Sequence, residues 1–414
     1  MSAMKTIKFS LKVNAIDSYI YGGHLFIILK DGRIIYSQLS RVIKKLTESY
    51  PDFENLIKLS FQRNDYLSNR QGLVFLGVGE MKTMFSKLWE RAASEVQFTI
   101  DFDIEDFEII SEIPSMPVLD MKLYAMRMYI GCKEGLYEIN LNPTDRYYLN
   151  PSKPEKQFDA KVTHLNAKSG EIIISANSDG LYHGSFLNDK NKLKVISKPV
   201  AKKSIRTGWS SYDVINYEEQ NNFEYFVNET SVIDNKPEYS KFDEQTEKRR
   251  ITEFGKLKYG LEELLENSSI EKDNISYCFN SSTAGFFFME DGQFVNINLN
   301  KENKESYYFT SRNHSLPTLE DNKKTLKRPI STSIVPKGCV VEYFDKVVLY
   351  QNSKAKIIES SPSINVRTYP SSIRYKNLIS VTKFDEITIH SIFPIDENPI
   401  SLTFDNFNFD EESE

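Results

Sequence analysis

The stretch Ile172-Ile-Ile-Ser-Ala-Asn-Ser-Asp179-Gly180-Leu-Tyr-His183 decides the fold. It is a short apolar run, an Asp-Gly turn and a second alternating run. Asp-Gly between such runs is the strongest local hairpin signal, because a two-residue primed turn needs positive φ at both central positions. The unit recurs. Leu25-Phe-Ile-Ile-Leu-Lys-Asp31-Gly32-Arg-Ile-Ile-Tyr36 is one copy, and Met128-Tyr-Ile-Gly-Cys-Lys-Glu134-Gly135-Leu-Tyr-Glu-Ile139 is another. Phe286-Phe-Phe-Met-Glu-Asp291-Gly292-Gln-Phe-Val-Asn-Ile297 is a fourth. Three fainter copies complete the set. They are Tyr212–Tyr217 with a loop at Asn221-Asn222, Val340–Tyr343 with Asp345-Lys346, and Leu378–Thr382 with Asp385-Glu386.

A lone hairpin cannot bury both of its faces. With a helical stretch and an acidic tail set aside, roughly 344 residues divide into seven units of about 49, within the ~40–50 of a propeller blade. The expectation is an all-β chain forming a single β-propeller of seven blades, with the hairpins as the two inner strands of each. Six blades with longer loops would also fit. Ring closure needs strands from both ends of the chain. Thr6–Val13 and Ile400–Phe404 alternate as such strands should. The segments Lys133-Glu-Gly-Leu-Tyr-Glu-Ile139 and Ser178-Asp-Gly-Leu-Tyr-His183 resemble the Asp-Gly-Leu-Tyr turn of divergent bacterial β-propellers. The resemblance implies architecture and no particular activity. Trp-Asp pairs and paired kelch glycines are absent.

The composition agrees. The chain has 414 residues, 40% hydrophobic and 27% charged, enough to build a sizeable core. A formal net charge of -6 argues against coating nucleic acid by charge alone. Cys132, Cys278 and Cys339 are far apart, which suggests neither a disulfide framework nor a zinc site. No secretory h-region or membrane-length apolar run is present, so the chain reads as soluble and cytoplasmic, with no membrane partner.

Residues 40–95 change period. Met81, Met84, Phe85, Leu88, Trp89, Ala92 and Ala93 mark one face of an amphipathic helix, preceded by a shorter pattern at Val42, Ile43 and Leu46. This predicts a small α-helical insertion in the first blade, projecting from the disc. The propeller then takes 1–39 and 96–405, and 406–414 is a disordered acidic tail. Residues 234–256 and 300–330 read as solvated polar loops.

Chemistry is harder to place. Gly77-Val-Gly79-Glu-Met-Lys82 precedes a helix, but Lys82 stands where a dinucleotide loop needs its third glycine. His24, His164, His183, His314 and His390 show no metal-ligand spacing, and no GxSxG elbow occurs. No catalytic residue, metal site or cofactor is therefore assigned. Basic clusters lie at Lys202-Lys203 with Arg206, at Lys248-Arg249-Arg250, and at Lys323-Lys324 with Lys327-Arg328. The first runs into Trp209 and Tyr212, a mixture that can hold single-stranded nucleic acid. Candidate partner-binding residues are Phe85, Trp89, Arg206, Trp209, Lys248, Arg249 and Arg250.

The leading expectation is a non-catalytic scaffold presenting its faces and helical insertion to a protein partner in a cytoplasmic bacterial complex. The alternatives are a sensor subunit that binds a ligand or nucleic acid, and a hydrolase or lyase with its site at the channel mouth. A contiguous basic surface would favour the sensor. Inward carboxylates or histidines from several blades would favour the enzyme.

Overall fold

In the computed structural model of the chain, each of the seven hairpins is present. Each forms the second and third strands of a blade sheet, four-stranded and antiparallel in six cases and extended to five strands in the seventh. The structure describes the chain except residues 1–5, 69–71, 73, 75–78, 145–147, 187–192, 236–246, 256–257, 267, 269, 292–293, 300–310, 315–327, 352–353 and 394–414. The expected tail and the strand at 400–404 lie outside the described residues. Among the described residues seven such sheets form, and the fold is a seven-bladed β-propeller.

The chain divides into two compact units. One holds three blades. Blade 1 is β2 (Ala15–Tyr21), β3 (His24–Leu29), β4 (Arg33–Gln38) and β6 (Glu108–Glu112). Blade 6 is β25 (Ser331–Val335), β26 (Gly338–Glu342), β27 (Val347–Gln351) and β28 (Lys354–Glu359). Blade 7 is β29 (Asn365–Thr368), β30 (Leu378–Thr382), β31 (Glu386–Ile392) and then β1 (Thr6–Lys12), antiparallel to β31. The N-terminal strand thus completes the last blade, as expected. A fifth strand, β5 (Phe98–Asp101), adds parallel to β1.

The other unit holds four blades. Blade 2 is β7 (Val118–Tyr124), β8 (Arg127–Cys132), β9 (Gly135–Asn140) and β10 (Glu155–Phe158). Blade 3 is β11 (His164–Lys168), β12 (Glu171–Ser175), β13 (Leu181–Ser185) and β14 (Lys194–Val195). Blade 4 is β15 (Arg206–Ser210), β16 (Asp213–Glu219), β17 (Asn222–Phe226) and β20 (Lys258–Gly260). Blade 5 is β21 (Ile275–Asn280), β22 (Ala284–Met289), β23 (Phe294–Asn298) and β24 (Ser311–His314). A separate ribbon pairs β18 (Glu229–Asn235) with β19 (Glu247–Glu253), where the sequence suggests only a polar loop.

Two expectations need correction. The hairpins are not the two inner strands. Within each unit it is the first strands of successive blades that lie together, β7 on β11 on β15, and β25 on β29 on β2. The hairpins are the middle pair, buried on both faces, which explains their nearly unbroken apolar runs. The primed turns also sit one connection earlier, between first and second strands. Gly22-Gly23, Ala125-Met126 and Ser169-Gly170 have positive φ at both central residues. In the Asp31-Gly32, Glu134-Gly135 and Asp179-Gly180 turns only the glycine does. Gly180 (φ 112°) also lies so close to the next turn that a Cβ would meet Ala201 O at 2.3 Å. Ala125 (φ 49°) gains nothing from its side chain, which is exposed. Ala125→Gly should therefore stabilise the protein by about 0.5–1 kcal/mol, read as a rise in urea midpoint.

Helix α1 (Leu39–Ser49) and helix α2 (Gly79–Glu95) fall between β4 and β6. Helix α2 and the segment between the two helices pack back onto blade 7 instead of projecting. Phe61 meets Phe9 of β1 edge-on at 4.9 Å, and Asn64 Nδ2 donates to Ser391 Oγ at 3.1 Å. On α2 only Phe85, Trp89 and Ala92 are buried, while Met84 and Ala93 face solvent, so the buried face is narrower than the sequence stripe.

Polar ties join neighbouring blades. Arg367 of β29 grips Asp17 of β2 through Nε–Oδ1 at 2.9 Å and Nη2–Oδ2 at 2.5 Å. Asp120 of β7 accepts from the Leu165 N–H of β11 at 2.7 Å. Between blades 6 and 7, buried Glu359 accepts from Lys8 Nζ at 2.7 Å, Lys383 Nζ at 2.8 Å and His390 Nε2 at 2.9 Å.

Candidate functional site

The best candidate surface is built from two matching turns in the three-blade unit. After β26 the chain turns through Tyr343-Phe344-Asp345-Lys346, closed by Tyr343 N–H donating to Lys346 O at 2.8 Å. After β30 it turns through Lys383-Phe384-Asp385-Glu386, closed by Lys383 N–H donating to Glu386 O at 2.8 Å. In both, the first central residue of the turn is phenylalanine, with its ring turned out of the sheet. Phe344 is 75% exposed and Phe384 is 74% exposed. The residues entering the first strands end at the same edge, since strand one runs antiparallel to strand two. Ile330 N–H donates to Glu342 O, and Ile364 N–H donates to Thr382 O. Ile330 is 50% exposed and Ile364 is 44%. Four apolar side chains thus sit at one end of two adjacent blades.

The turns that carry them are anchored. Tyr343 is buried, and its hydroxyl lies 3.2 Å from that of Tyr350. Lys383 is buried against Glu359 and Glu386. Beneath, buried Glu342 accepts from Ser331 Oγ at 2.6 Å and from Ser363 Oγ at 2.7 Å, tying blade 6 to the approach of blade 7. The corresponding turn of blade 1 carries Lys30-Asp31, and the Lys30 ammonium sits 2.9 Å from the Phe384 ring centroid. An apolar ledge on rigid turns, flanked by Asp31, Asp345 and Asp385, has the composition of a protein-contact surface.

The residues singled out from the sequence lie elsewhere. Phe85 and Trp89 are buried against Phe393 of the blade 7 exit, Phe85 stacked at 6.0 Å and Trp89 edge-on at 5.0 Å between ring centroids. That placement makes them packing residues of the insertion. Arg206 is half-buried. Its guanidinium lies over the rings of Tyr217 and Tyr277, 4.0 and 4.4 Å away, and donates to the carbonyls of Cys278 and Gln220. It ties blade 4 to blade 5. Trp209 is half-buried beside Phe254, with centroids 6.2 Å apart. Lys248, Arg249 and Arg250 lie on β19, opposite Asp234, Ile233 and Val232. Gly77 and Val78 of the glycine-containing turn lie outside the described residues, and Gly79 begins α2.

His24, His183, His390 and the three cysteines are buried. His183 Nε2 meets Glu171 Oε2 at 2.5 Å in the interior of blade 3. Burial pushes the Cys132 thiol up to about 11, and those of Cys278 and Cys339 up to about 12. Such thiols are poor nucleophiles and poor ligands near neutral pH. Among the described residues, no group of three or more His, Cys, Asp or Glu could hold a metal ion. No described helix is long and apolar enough to cross a membrane.

The ledge was missed because its signal is a repeat within a repeat. Phe344-Asp345 and Phe384-Asp385 occupy the same turn position, which shows only once the two faint copies are aligned.

No protein-family model matches the chain, and no curated protein matches it by sequence. Several solved structures are similar to it at low identity. A computationally designed protein, Ika8, is similar with TM-score 0.46 and 7% identity, over 92% of this chain and 99% of that one. The N-terminal domain of Nup159 is similar with TM-score 0.44 and 8% identity, over 95% and 97%. A putative 6-phosphogluconolactonase from Bacteroides uniformis is similar with TM-score 0.40 and 10% identity, over 66% and 80%.

Proposed function

We propose that this propeller is a non-catalytic scaffold that holds a protein partner in a cytoplasmic complex. The observation that carries this reading is the ledge of Ile330, Phe344, Ile364 and Phe384. Two three-quarters-exposed aromatic rings on anchored turns cost little entropy to bury and offer large contact area. Aromatic anchors of that kind dominate binding energy at interfaces, at about 2 kcal/mol or more each. Blades braced by buried ion pairs would keep the ledge in one shape with or without its partner.

The test is co-purification of tagged protein, expressed at native level in its own host, beside a Phe344→Ser/Phe384→Ser variant. Both rings are solvent-facing, so the variant should fold normally. A stoichiometric partner present with the wild type and reduced at least about tenfold with the variant is expected. A partner retained equally by both, or none at all, would overturn the reading.

A further inference from the structure

The outer margin of blade 3 has a charge pattern that the scaffold reading does not use. From residue 190 to residue 212 the sequence holds Lys190, Lys192, Lys194, Lys198, Lys202, Lys203 and Arg206, and no acid. Lys190 and Lys192 lie outside the described residues. The segment from Lys194 to Ser204 runs antiparallel along β13. Val195 pairs with Gly184, Ile196 N–H donates to His183 O at 2.8 Å, and Leu181 N–H donates to Ala201 O at 2.9 Å. Lys194, Lys198 and Lys202 are exposed, and among the described residues none of the three has a carboxylate within ion-pair distance. Their neighbours in the same unit behave differently. Lys203 pairs with Glu219, Lys258 with Glu224 and Lys272 with Glu262.

The backbone adds a second feature. Ile196 and His183 form a hydrogen-bonded pair, so the adjacent Val195 turns its N–H and C=O away from the sheet. β14 is the last strand of its sheet, so these groups face outward. Ile196, 43% exposed, supplies an apolar contact between the lysines. This propeller already accepts such an addition elsewhere, since β5 extends blade 7 as a fifth strand beside β1.

We propose that the outer edge of blade 3 docks an acidic polypeptide segment of a partner protein as an added strand beside β14. Carboxylates of the segment face Lys194, Lys198 and Lys202, and one of its apolar side chains packs on Ile196. Charge complementarity selects an acidic chain, and the outward backbone of Val195 selects a polypeptide over a nucleic acid. The net charge of -6 disfavours a long polyanion and suits a short segment better. The inference stands independently of the apolar ledge.

The experiment is fluorescence anisotropy on the full chain with a labelled decapeptide alternating Glu and Val. Saturable binding is expected at low salt, weakened at least about tenfold by high salt. A Lys194→Glu/Lys198→Glu/Lys202→Glu variant, checked for an unchanged urea midpoint, should bind at least about tenfold more weakly. A peptide N-methylated at alternate residues should lose binding to a similar extent. Equal binding by the lysine variant or by the N-methylated peptide would overturn the proposal. So would an oligothymidylate of similar length that binds more tightly than the peptide and depends on the same lysines.

Discussion

Glu359→Ala should lower stability by about 3–5 kcal/mol, because it takes one of two carboxylates from buried Lys383 and leaves buried His390 Nε2 without its partner. The carboxylate sits between blades 6 and 7 and receives Lys8, Lys383 and His390 together. Burial alone would raise its pKa, but the hydrogen bonds from His390, Lys383 and Lys8 outweigh that and hold it well below the usual value near 4.5. His390 moves down from 6.5, chiefly by burial, with Glu359 opposing. Both shifts give the same sign. The unfolded chain takes up protons before the folded one, so stability falls as the medium is acidified. The loss should begin below the usual histidine value, as the unfolded imidazole protonates. It should continue below the usual carboxylate value, as unfolded Glu359 does. Glu359→Gln should cost less than Glu359→Ala and flatten the acid limb. Urea midpoints across that pH range check both statements; an acid limb unchanged in Glu359→Gln would show that the instability arises elsewhere.

Trp89→Ala should cost a further about 3–5 kcal/mol in its own right, the range for emptying a fully buried aromatic site. The indole is 0% exposed and packs on Phe85 at 5.9 Å and on Phe393 at 5.0 Å. Losing it removes the main contact between α2 and the end of blade 7. Trp89→Phe should cost clearly less, because the ring contacts survive. Denaturant midpoints, with hydrogen exchange along Gly79–Glu95, would read both the size and the place of the change. A variant that keeps its midpoint and loses a partner would restore the docking role for this helix.

The hairpins were legible because local physics writes them locally. A glycine at positive φ, such as Gly180, and apolar runs on either side need no distant information. Even the copies without glycine turned where Asn221, Asp345 and Asp385 suggested. What the sequence could not show depended on distance. The order of strands within a blade rests on which strands meet across blades, and no local period encodes it. Ala125-Met126 forms a primed turn with no turn-forming residue, held by the pairing of Tyr124 with Arg127 on either side. Arg206 looks the same in sequence whether it faces solvent or lies over two tyrosines. The apolar stripe of α2 was visible, but its partner Phe393 lies about three hundred residues away. The ledge combined both difficulties: each phenylalanine is ordinary alone, and only blade-to-blade equivalence sets them side by side.

The closure of blade 7 also sets an order of events at the ribosome. Ser10 of β1 and Thr388 of β31 are 378 residues apart, yet they meet side by side. At about 5–20 residues per second, β1 waits roughly 20–75 s after synthesis before its partner emerges. Through that interval its apolar side, Ile7, Phe9 and Leu11, has no blade to enter. The earlier blades can assemble as they emerge, but the last must wait for synthesis to reach β31. The nascent chain therefore presents a hydrophobic strand with an open edge throughout elongation, the kind of segment that chaperones hold. Moving Thr6–Lys12 to follow Ile392 would remove the delay and leave the finished blade with the same four strands.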